Sequence, residues 1–246
     1  MRPPTASRSS ARSTADSRCR IFHARWAGRL LVVALFGAPG SLAAEGGGSG
    51  PRARAASVDQ PKSAAALFRG LAALPGLSAR YREEKRLSLL VEPLVSEGAV
   101  WFVPPGELIR ATRTPAWSTL VVRPNAVTYT DDAGEQRMPL GRDHPARAFV
   151  QVFVDVVAGD LSAVERDFEV DYAAPPGGPW QLRLRPRRRD FPGTRQIRIR
   201  GDRLVISSLE IDDPNGDSSV TTFDRVVISR RPSASEIAQA LRKVRK

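Results

Sequence analysis

From residue 77 onward, short stretches that alternate apolar with charged or polar residues follow one another at close intervals. Alternation with a period of two is typical of a strand with one buried face, and turn signals such as Pro-Pro-Gly and Asp-Asp-Ala-Gly recur every eight to ten residues. Connections this short join antiparallel neighbours, so the sequence predicts an antiparallel meander. The strands predicted in this half are 77–89, 98–103, 107–112, 118–123, 126–131 and 135–140.

The meander is interrupted by HPARAFVQVFVDVVAGD, residues 144–160. Pro145 favours the start of a helix and Gly159 its end, while Gln151 and Asp155 lie four residues apart on one polar stripe. The many β-branched residues leave a buried strand as the alternative, but the length and the polar stripe favour a helix. Because this helix is apolar on nearly all sides, we expect it to be buried on more than one side.

Three shorter helices are predicted from their capping residues. Asp160 precedes the segment LSAVERD, and Ser233 and Glu236 have the spacing of a capping box before a basic tail helix. Asp59 and Pro61 are placed to cap and open a helix near the start of the folded part. The remaining strands are predicted at 168–172, 180–186, 195–201, 203–211 and 218–229. With no internal repeat and no second linker, the sequence predicts one α+β domain of about ten strands.

The stretch IDDPNGDSSVTTF, residues 211–223, crowds acidic and amide side chains as a cation site does. A Ca²⁺ loop of the EF-hand type needs a ligand at its first position and a glutamate at its twelfth. If Gly216 is the sixth position, Ile211 and Thr222 occupy these two places, and neither can do so. Asn-Gly tolerates the positive φ of a hairpin turn, so the sequence favours a turn between strands over a metal site.

Residues 1–44 have the pattern of a secretory signal, with a basic region, a short apolar run and then small residues. Cleavage is expected near Ala43 or Ala44, and an uncleaved anchor is the alternative, although the apolar run is too short to span a bilayer. Residues 45–57 have linker composition, and residues 58–246 form the predicted folded domain. The expected location is therefore the periplasm.

Removal of residues 1–44 takes away seven Arg and one Asp, which lowers the formal net charge from +12 to +6. It also removes Cys19, the only cysteine, so the mature chain has no disulfide and no thiol chemistry. Nine of the remaining arginines fall within residues 183–203. In an exported protein they favour anionic lipid headgroups or an acidic partner protein over nucleic acid, with solvated strand faces as the alternative.

The residues for covalent chemistry are sparse. His144 is the only histidine of the mature chain, and no G-x-S-x-G segment is present. Glu83-Glu84 and Asp131-Asp132 are adjacent pairs that point to opposite faces of a strand, so we expect them to be surface charges. The sequence therefore predicts neither an enzyme nor a metal or other cofactor, and a hydrolase centred on His144 stays as the alternative.

The order of helix, strand meander, helix pair and further strands resembles the LolA family of periplasmic lipoprotein carriers. Several motifs are similar to those of the LolA-related branch, and the resemblance extends over residues 62–229. The motifs are SEG at 96–98, FVPP at 102–105, RTP at 113–115, AGDLSAVERDFEVDY at 158–172, WQL at 180–182 and GDSS at 216–219. Their order and spacing carry the resemblance, since no single motif is specific.

The resemblance implies an incomplete, strongly curved antiparallel β-barrel of about ten to eleven strands, with helices that cap its open mouth. It implies a monomeric periplasmic carrier, or chaperone, that holds the acyl chains of lipoproteins or of a related lipid and transports them toward the outer membrane. The implied partners are an inner-membrane transporter and an outer-membrane receptor, with no nucleic acid. The carriers have an arginine that ties the helical lid to the barrel, and Pro104 stands in its place here, so Arg110 and Arg113 are the candidates for that tether.

If the barrel is hollow, its inward side chains bind lipid; ordinary core packing is the alternative for each of them. The candidate lining residues are Trp101, Val103, Leu108, Leu120, Val122, Tyr129, Phe149, Phe153 and Trp180. The competing hypothesis is a non-catalytic envelope adaptor, whose barrel is filled by side chains and whose arginine-rich strands dock a partner.

Overall fold

The computed structural model describes residues 59–141, 145–189, 191 and 193–242. The predicted signal segment, the predicted linker and His144 lie outside the described residues. Among the helices of the described residues, none has the length and apolar character needed to cross a membrane.

The described residues form four helices and eleven strands. The helices are α1 (Ala64–Ala72), α2 (Pro145–Ala158), α3 (Leu161–Asp167) and α4 (Ala234–Leu241). The strands are β1 (Leu77–Arg86), β2 (Leu94–Val103), β3 (Glu107–Thr114), β4 (Ser118–Arg123), β5 (Ala126–Asp131), β6 (Gly134–Pro139), β7 (Phe168–Ala173), β8 (Trp180–Pro186), β9 (Gln196–Asp202), β10 (Val205–Asp212) and β11 (Ser218–Val227).

All of these strands belong to one antiparallel sheet with the order β6-β5-β4-β3-β2-β1-β11-β10-β9-β8-β7. The two predicted meanders therefore meet at β1, which pairs with β2 on one side and with β11 on the other. The edges β6 and β7 do not pair with each other, so the sheet is open. Side chains of β1, β3, β4, β9, β10 and β11 nevertheless line one common cavity, which requires a curved sheet. The predicted α+β class with an incomplete, curved barrel is confirmed.

The two faces of the curved sheet are covered by different helices. On the concave face, α1, α2 and α3 pack into one apolar core with the inward side chains of the strands, among them Phe102, Val122 and Leu182. On the convex face, α4 covers a smaller cluster centred on Trp101 and Ile109 of β2 and β3. Both faces of this part of the sheet are thus buried.

The predicted central helix is confirmed as α2. The two residues of its polar stripe bond to each other: the Gln151 side-chain amide donates a hydrogen bond of 2.8 Å to the Asp155 carboxylate. The rest of the helix packs against α1 and α3 as well as the sheet, which is why nearly all of its sides are apolar. Gly159 follows with φ +75°, and a Cβ there would lie 2.3 Å from the Phe68 carbonyl oxygen of α1. Only glycine permits both this turn and this close approach.

Capping was predicted correctly for two of the three shorter helices. Asp160 accepts a hydrogen bond of 2.9 Å from the Ala163 amide of α3. The predicted cap of α1 was wrong: the helix begins later than Asp59 and Pro61, and the Ser63 hydroxyl accepts the bond from the first turn. Serine is as good a cap as aspartate, so the two positions compete on equal terms in the sequence.

The tail helix α4 is capped as predicted, since the Ser233 hydroxyl accepts a hydrogen bond from the Glu236 amide at 3.2 Å. The Glu236 carboxylate does not complete the capping box in the described hydrogen bonds. It accepts instead from the indole of Trp101 at 3.3 Å and from Arg230 at 2.8 Å. These bonds fix α4 to the convex face of the sheet.

The acid-rich stretch forms the predicted turn between β10 and β11. Gly216 has φ +92°, and its amide donates to the Asp213 carbonyl. The Asp213 carboxylate accepts from the Asn215 amide, and the Asp217 carboxylate accepts from the Ser88 amide at 2.8 Å. The acidic side chains thus satisfy backbone donors of the turn and of the neighbouring β1–β2 loop.

The arginine-rich segment extends over β8, β9 and the loops that follow each of them, and several of its arginines pair with acids of adjacent strands. Arg198 bonds Glu210 at 2.7 Å, and Arg200 bonds the same carboxylate. Arg183 lies 3.6 Å from Asp171 of β7. The Arg183 and Asp171 side chains are 36% and 55% exposed, and an ion pair with this exposure contributes at most about 1 kcal/mol, whereas Glu210 is only 15% exposed. The segment therefore resembles a solvated strand face that is partly neutralised.

Trp180 of β8 is held in place by a hydrogen bond from its indole as well as by packing against its neighbours. Its indole N–H donates 2.8 Å to the Arg203 carbonyl, and its ring packs against Gly201 of β9, its cross-strand partner. A Cβ at Gly201 would lie 2.3 Å from the Trp180 ring and 2.4 Å from the Val205 carbonyl oxygen. The absence of a side chain at this position therefore allows the tryptophan to be buried.

We expect Gly201→Ala to lower the free energy of unfolding by about 1–3 kcal/mol, because the methyl group forces the Trp180 ring or the strand to shift. Urea denaturation followed by tryptophan fluorescence measures the change. Gly141→Ala is the control, since a Cβ at that position meets no atom within 4 Å and should change the stability little. Equal stability of the two variants would contradict the packing described for Trp180.

Candidate functional site

A cavity of about 130 Å³ lies between α2 and the concave face of the sheet. Of the sixteen described residues that line it, thirteen are apolar, and the exceptions are Tyr81, Arg110 and Thr221. Phe153, Val156 and Val157 of α2 form its roof. Several lining residues remain half-buried although they point into the molecule, so solvent reaches the cavity. The strand residues that line it are Leu77, Ala79, Tyr81, Val100, Leu108, Arg110, Leu120, Ile199, Ile206, Leu209, Thr221, Phe223 and Val226.

The polar end of this cavity is built on a buried ion pair. Nη2 of Arg110 donates to Oε2 of Glu83 at 2.7 Å, and the exposed fractions of the two side chains are 12% and 1%. The Ser96 hydroxyl donates to the same carboxylate oxygen at 3.2 Å and accepts from Arg110 at 3.2 Å. Glu83 was predicted to be a surface charge, and that prediction was wrong. The alternation of β1 places it on the concave face, where Arg110 of β3 neutralises it.

Tyr81 completes the surroundings of Arg110. The guanidinium carbon lies 4.0 Å from the centroid of the Tyr81 ring, and the phenol hydroxyl shares a hydrogen bond of 2.8 Å with Thr112. Burial by itself would lower the pKa of Arg110, but Glu83 and Tyr81 together raise it above its usual value. Arg110 is therefore a permanent cation.

Lys85 is the next residue after Glu83 on the concave face of β1, and it is also buried. Desolvation lowers its pKa, and the attraction of Glu83, Asp217 and Asp213 offsets this effect only in part. Along the concave face of β1, the side chains thus change from apolar at Leu77 to ionic at Glu83 and Lys85.

Seven of the nine sequence-predicted lining residues lie on the concave side. Leu108, Leu120 and Phe153 line the cavity itself. Val122, Tyr129, Phe149 and Trp180 belong to the surrounding core or pack against it. The rings of Phe149 and Phe153 contact edge to face, with centroids 5.2 Å apart. Contact of these residues with lipid stays a prediction.

Trp101 and Val103 differ from the other candidates, because they lie in the opposite phase of β2. Trp101 pairs with Ile109, packs beneath α4 in the convex cluster and does not reach the cavity. Phe102 and Val100 are the apolar residues of this strand that face inward. Both Trp101 and Phe102 are buried, so hydrophobicity alone did not identify the inward phase.

The two tether candidates lie on opposite faces of β3. Arg110 lies beside the cavity, and its described hydrogen bonds run to Glu83 and Ser96 of neighbouring strands. Arg113 lies on the convex side and donates 3.5 Å to the Ala240 carbonyl of α4. The Pro104 carbonyl accepts a hydrogen bond of 3.1 Å from Arg231. Tethering of the lid by either candidate stays a prediction.

Sequence reasoning missed all of the cavity residues on β1, β10 and β11. On β1 the inward positions are Leu77, Ala79 and Tyr81, which are interleaved with the outward Arg80 and Arg82. The available signal was the position of the charged residues: because Arg80 and Arg82 face solvent, the residues that alternate with them must face inward. On β10 and β11 the signal was weak, since Thr221 and Phe223 alternate with polar Thr222 but also with apolar Val220.

The arrangement provides an apolar hollow with one cationic end and no assembled acid-base pair on its described lining. Within the described part of the chain, no group of three or more His, Cys, Asp and Glu is placed to hold a metal ion. Outside the cavity, the loop between β1 and β2 exposes Leu89, Leu90 and Val91. Exposed adjacent apolar side chains of this kind mark candidate contact surfaces.

No protein-family profile matches this sequence, and no curated protein matches it. Solved structures are similar to it. One is a LolA-superfamily protein from Nitrosomonas europaea, with a TM-score of 0.39 and 8% identity over 73% of this chain and 97% of that chain. Another is an outer-membrane lipoprotein-sorting protein domain from Vibrio parahaemolyticus, with a TM-score of 0.41 and 8% identity over 72% of this chain and 95% of that chain.

The MucA/MucB complex of Pseudomonas aeruginosa is also similar, with a TM-score of 0.42 and 11% identity over 71% of this chain and 60% of that chain. The names of the Nitrosomonas and Vibrio structures agree with the resemblance to LolA proteins that the motifs predict, and they do not distinguish the related branch. Because all three TM-scores are below 0.5, neither family membership nor function follows from the similarities.

Arg110→Met should lower the free energy of unfolding by about 3–5 kcal/mol, because it leaves the buried Glu83 carboxylate without its arginine partner. The double variant Glu83→Gln with Arg110→Met should recover part of this loss, since neither member of the buried pair then carries a charge. A double-mutant cycle by urea denaturation measures both effects. Arg82→Met is the control, since its pair with Glu97 is about half-exposed and should contribute at most about 1 kcal/mol.

The stability change on Asp155→Asn should depend on pH. Desolvation raises the pKa of Asp155, although the bond from Gln151 lowers it in part. The folded state therefore holds this proton more tightly than the unfolded state does. Stability is lost as the pH rises from the ordinary aspartate pKa, about 3.9, through the raised value. The side-chain amide that Asp155→Asn introduces would keep the hydrogen bond with Gln151 but carries no charge. The stability of the variant relative to the wild type should therefore increase as the pH rises.

Thermal melts between acidic and neutral pH measure this difference. Asp160→Asn provides a comparison of opposite sign, because hydrogen bonds from the Ala163 amide and from Ser162 lower the pKa of Asp160. That variant should lose stability relative to the wild type over the same pH range. A difference for Asp155→Asn that is constant with pH would contradict the burial of its carboxylate.

Proposed function

We propose that this protein is a periplasmic carrier that binds acyl chains reversibly in the cavity beneath α2 and carries them toward the outer membrane without covalent chemistry. The observation that carries the proposal is the cavity itself, whose described lining is apolar in thirteen of sixteen residues. A water-filled apolar space stabilises nothing in the folded protein, whereas each methylene that enters it gains about 0.8 kcal/mol. The motif resemblance to the LolA family supports the same cargo class.

The size of the cavity fits part of a chain in the state described. An engineered cavity of about 150 Å³ holds one benzene molecule, so 130 Å³ takes a short portion of an acyl chain. A longer chain requires α2 to move away from the sheet. The roof residues Phe153 and Val157 are half-buried, so this side of α2 is already in contact with solvent.

The cargo of the carrier is the acyl part of a lipoprotein or of a related lipid. The resemblance supports an inner-membrane donor and an outer-membrane acceptor as partners, and it supports a monomer. Residues 1–44 supply the proposed export signal. The proposal contains no catalytic residue, and replacement of His144 should leave acyl binding unchanged.

The adaptor hypothesis retains one observation in its favour, which is the exposed apolar loop formed by Leu89, Leu90 and Val91. Its other premise, an interior filled by side chains, is not met by the cavity under α2. Its proposed docking face is partly neutralised, because Arg198 and Arg200 pair with Glu210. We therefore prefer the carrier.

Thr221→Phe should weaken acyl binding about tenfold or more. One phenyl ring fills most of a cavity of this size. If it excludes only two methylenes of the acyl chain, the binding free energy falls by about 1.6 kcal/mol. The measurement is the fluorescence titration of the protein with the neutral dye N-phenylnaphthylamine, together with native mass spectrometry of protein purified from periplasm. Circular dichroism establishes that the variant is folded.

Val220→Phe is the matched control, since Val220 is the adjacent residue of β11, lies on the opposite face and is 42% exposed. It adds the same ring outside the cavity and should bind the dye as the wild type does. Equal binding by Thr221→Phe and the wild type, or repeated purification of wild-type protein that carries no lipid and takes up no dye, would contradict the proposal.

A further inference from the structure

One charged residue lies among the described residues that line the apolar cavity, and it is a cation. The Arg110 side chain is 12% exposed and belongs to the lining, whereas its partner Glu83 is 1% exposed and lies behind it. The ion pair therefore presents its positive member to the cavity and covers its negative member. A hydrocarbon chain alone gains nothing from a guanidinium in the wall.

The polar members of the lining lie together at one end. Tyr81 lies in contact with the Arg110 guanidinium, and Thr221 pairs across the strands with Glu83. The roof residues Phe153, Val156 and Val157 of α2 are all apolar. The cavity thus has an apolar part beneath the helix and a cationic, hydroxyl-bearing part on the sheet. This is the distribution that suits an amphiphile with an apolar tail and a small anionic head.

We propose that the preferred cargo is a single acyl chain that ends in its own carboxylate, with the tail beneath α2 and the carboxylate at Arg110. This inference rests on the proposed carrier function and selects one of its two cargo classes, a related lipid with a free carboxylate, over the ester- or amide-linked chains of a lipoprotein. A guanidinium has five N–H donors, so one arginine can serve Glu83 and a ligand carboxylate together. Hydrogen bonds between two ionised groups are about twice as strong as neutral ones. Thr221 belongs to the same end of the lining, and its side chain adds a hydroxyl there.

The volume of the cavity favours one chain over several. At about 130 Å³ the space is less than the benzene-sized cavity of known proteins, so each additional chain would demand a further displacement of α2. An acyl chain bound as an ester or amide of a larger lipid brings no anion to Arg110. The cationic wall therefore distinguishes the free acid from the ester of the same chain length.

The test compares hexadecanoate with its methyl ester as competitors of N-phenylnaphthylamine bound to the full mature chain. The wild type should bind the acid about tenfold more tightly than the ester, since one charge-assisted bond is lost with the ester. Arg110→Met should abolish this preference, which is measured as the ratio of the acid and ester affinities within the same variant. Arg82→Met, an exposed arginine on the outer face of β1, is the control and should keep the preference.

Because Arg110→Met removes the arginine partner of Glu83, Glu83→Gln provides a second variant that does not depend on the survival of the first. It retains a hydrogen-bond acceptor for Arg110 and removes the carboxylate that competes with the ligand, so acid binding should strengthen several-fold and the ratio of acid to ester affinity should rise. A merely structural role of the pair would weaken both.

The outcomes separate the two levels of the proposal. If neither the dye nor either competitor binds the wild type, the carrier function itself is overturned. If acid and ester bind the wild type equally, or Glu83→Gln weakens the binding of the acid, the carboxylate preference is overturned and the carrier function stands. Preference for the acid that disappears in Arg110→Met and increases in Glu83→Gln supports the inference.

Discussion

The concave face of a curved, open sheet must be covered by apolar surface, and the rest of the structure depends on how α2 does this. The strands present a mostly apolar wall, and the edge strands β6 and β7 do not pair with each other to close the sheet. Burial of this wall requires a helix that is apolar toward the sheet and also toward the helices beside it. The sequence of α2 meets both demands with a single polar stripe, Gln151 and Asp155.

A straight helix laid across a curved wall cannot fill the space beneath it everywhere. Side chains of α2 pack tightly where Phe149 joins the core, and they leave a cavity where Phe153 and Val157 face the sheet. The same interaction that closes the fold thus produces the space that we assign to the cargo. It also makes the roof of the site the element that a longer chain must displace.

The ionic end of the cavity is the least expected part of the molecule. Burial of Glu83 and Arg110 is tolerated because each is paired and further hydrogen-bonded through Ser96, with Tyr81 stacked on the guanidinium. An interior that only needed to be filled would be served as well by apolar side chains. The pair places a cation in the lining, as expected for a site that distinguishes ligands by the charge of their head group.

The sequence by itself determined the order of the strands and helices, the central helix and the turn at Gly216, because these depend on local periodicity and turn chemistry, whereas several element ends, such as the starts of α1 and β2, were misplaced. Only the tertiary structure decided which phase of each strand faces inward. On β2 the choice between Trp101 and Phe102 was open, since α4 buries the convex face as well. The tertiary structure also decided that Glu83 is buried, because its partner Arg110 lies 27 residues away and meets it only when β1, β2 and β3 form one curved sheet. Alternation has two equivalent phases, and only long-range packing chooses between them.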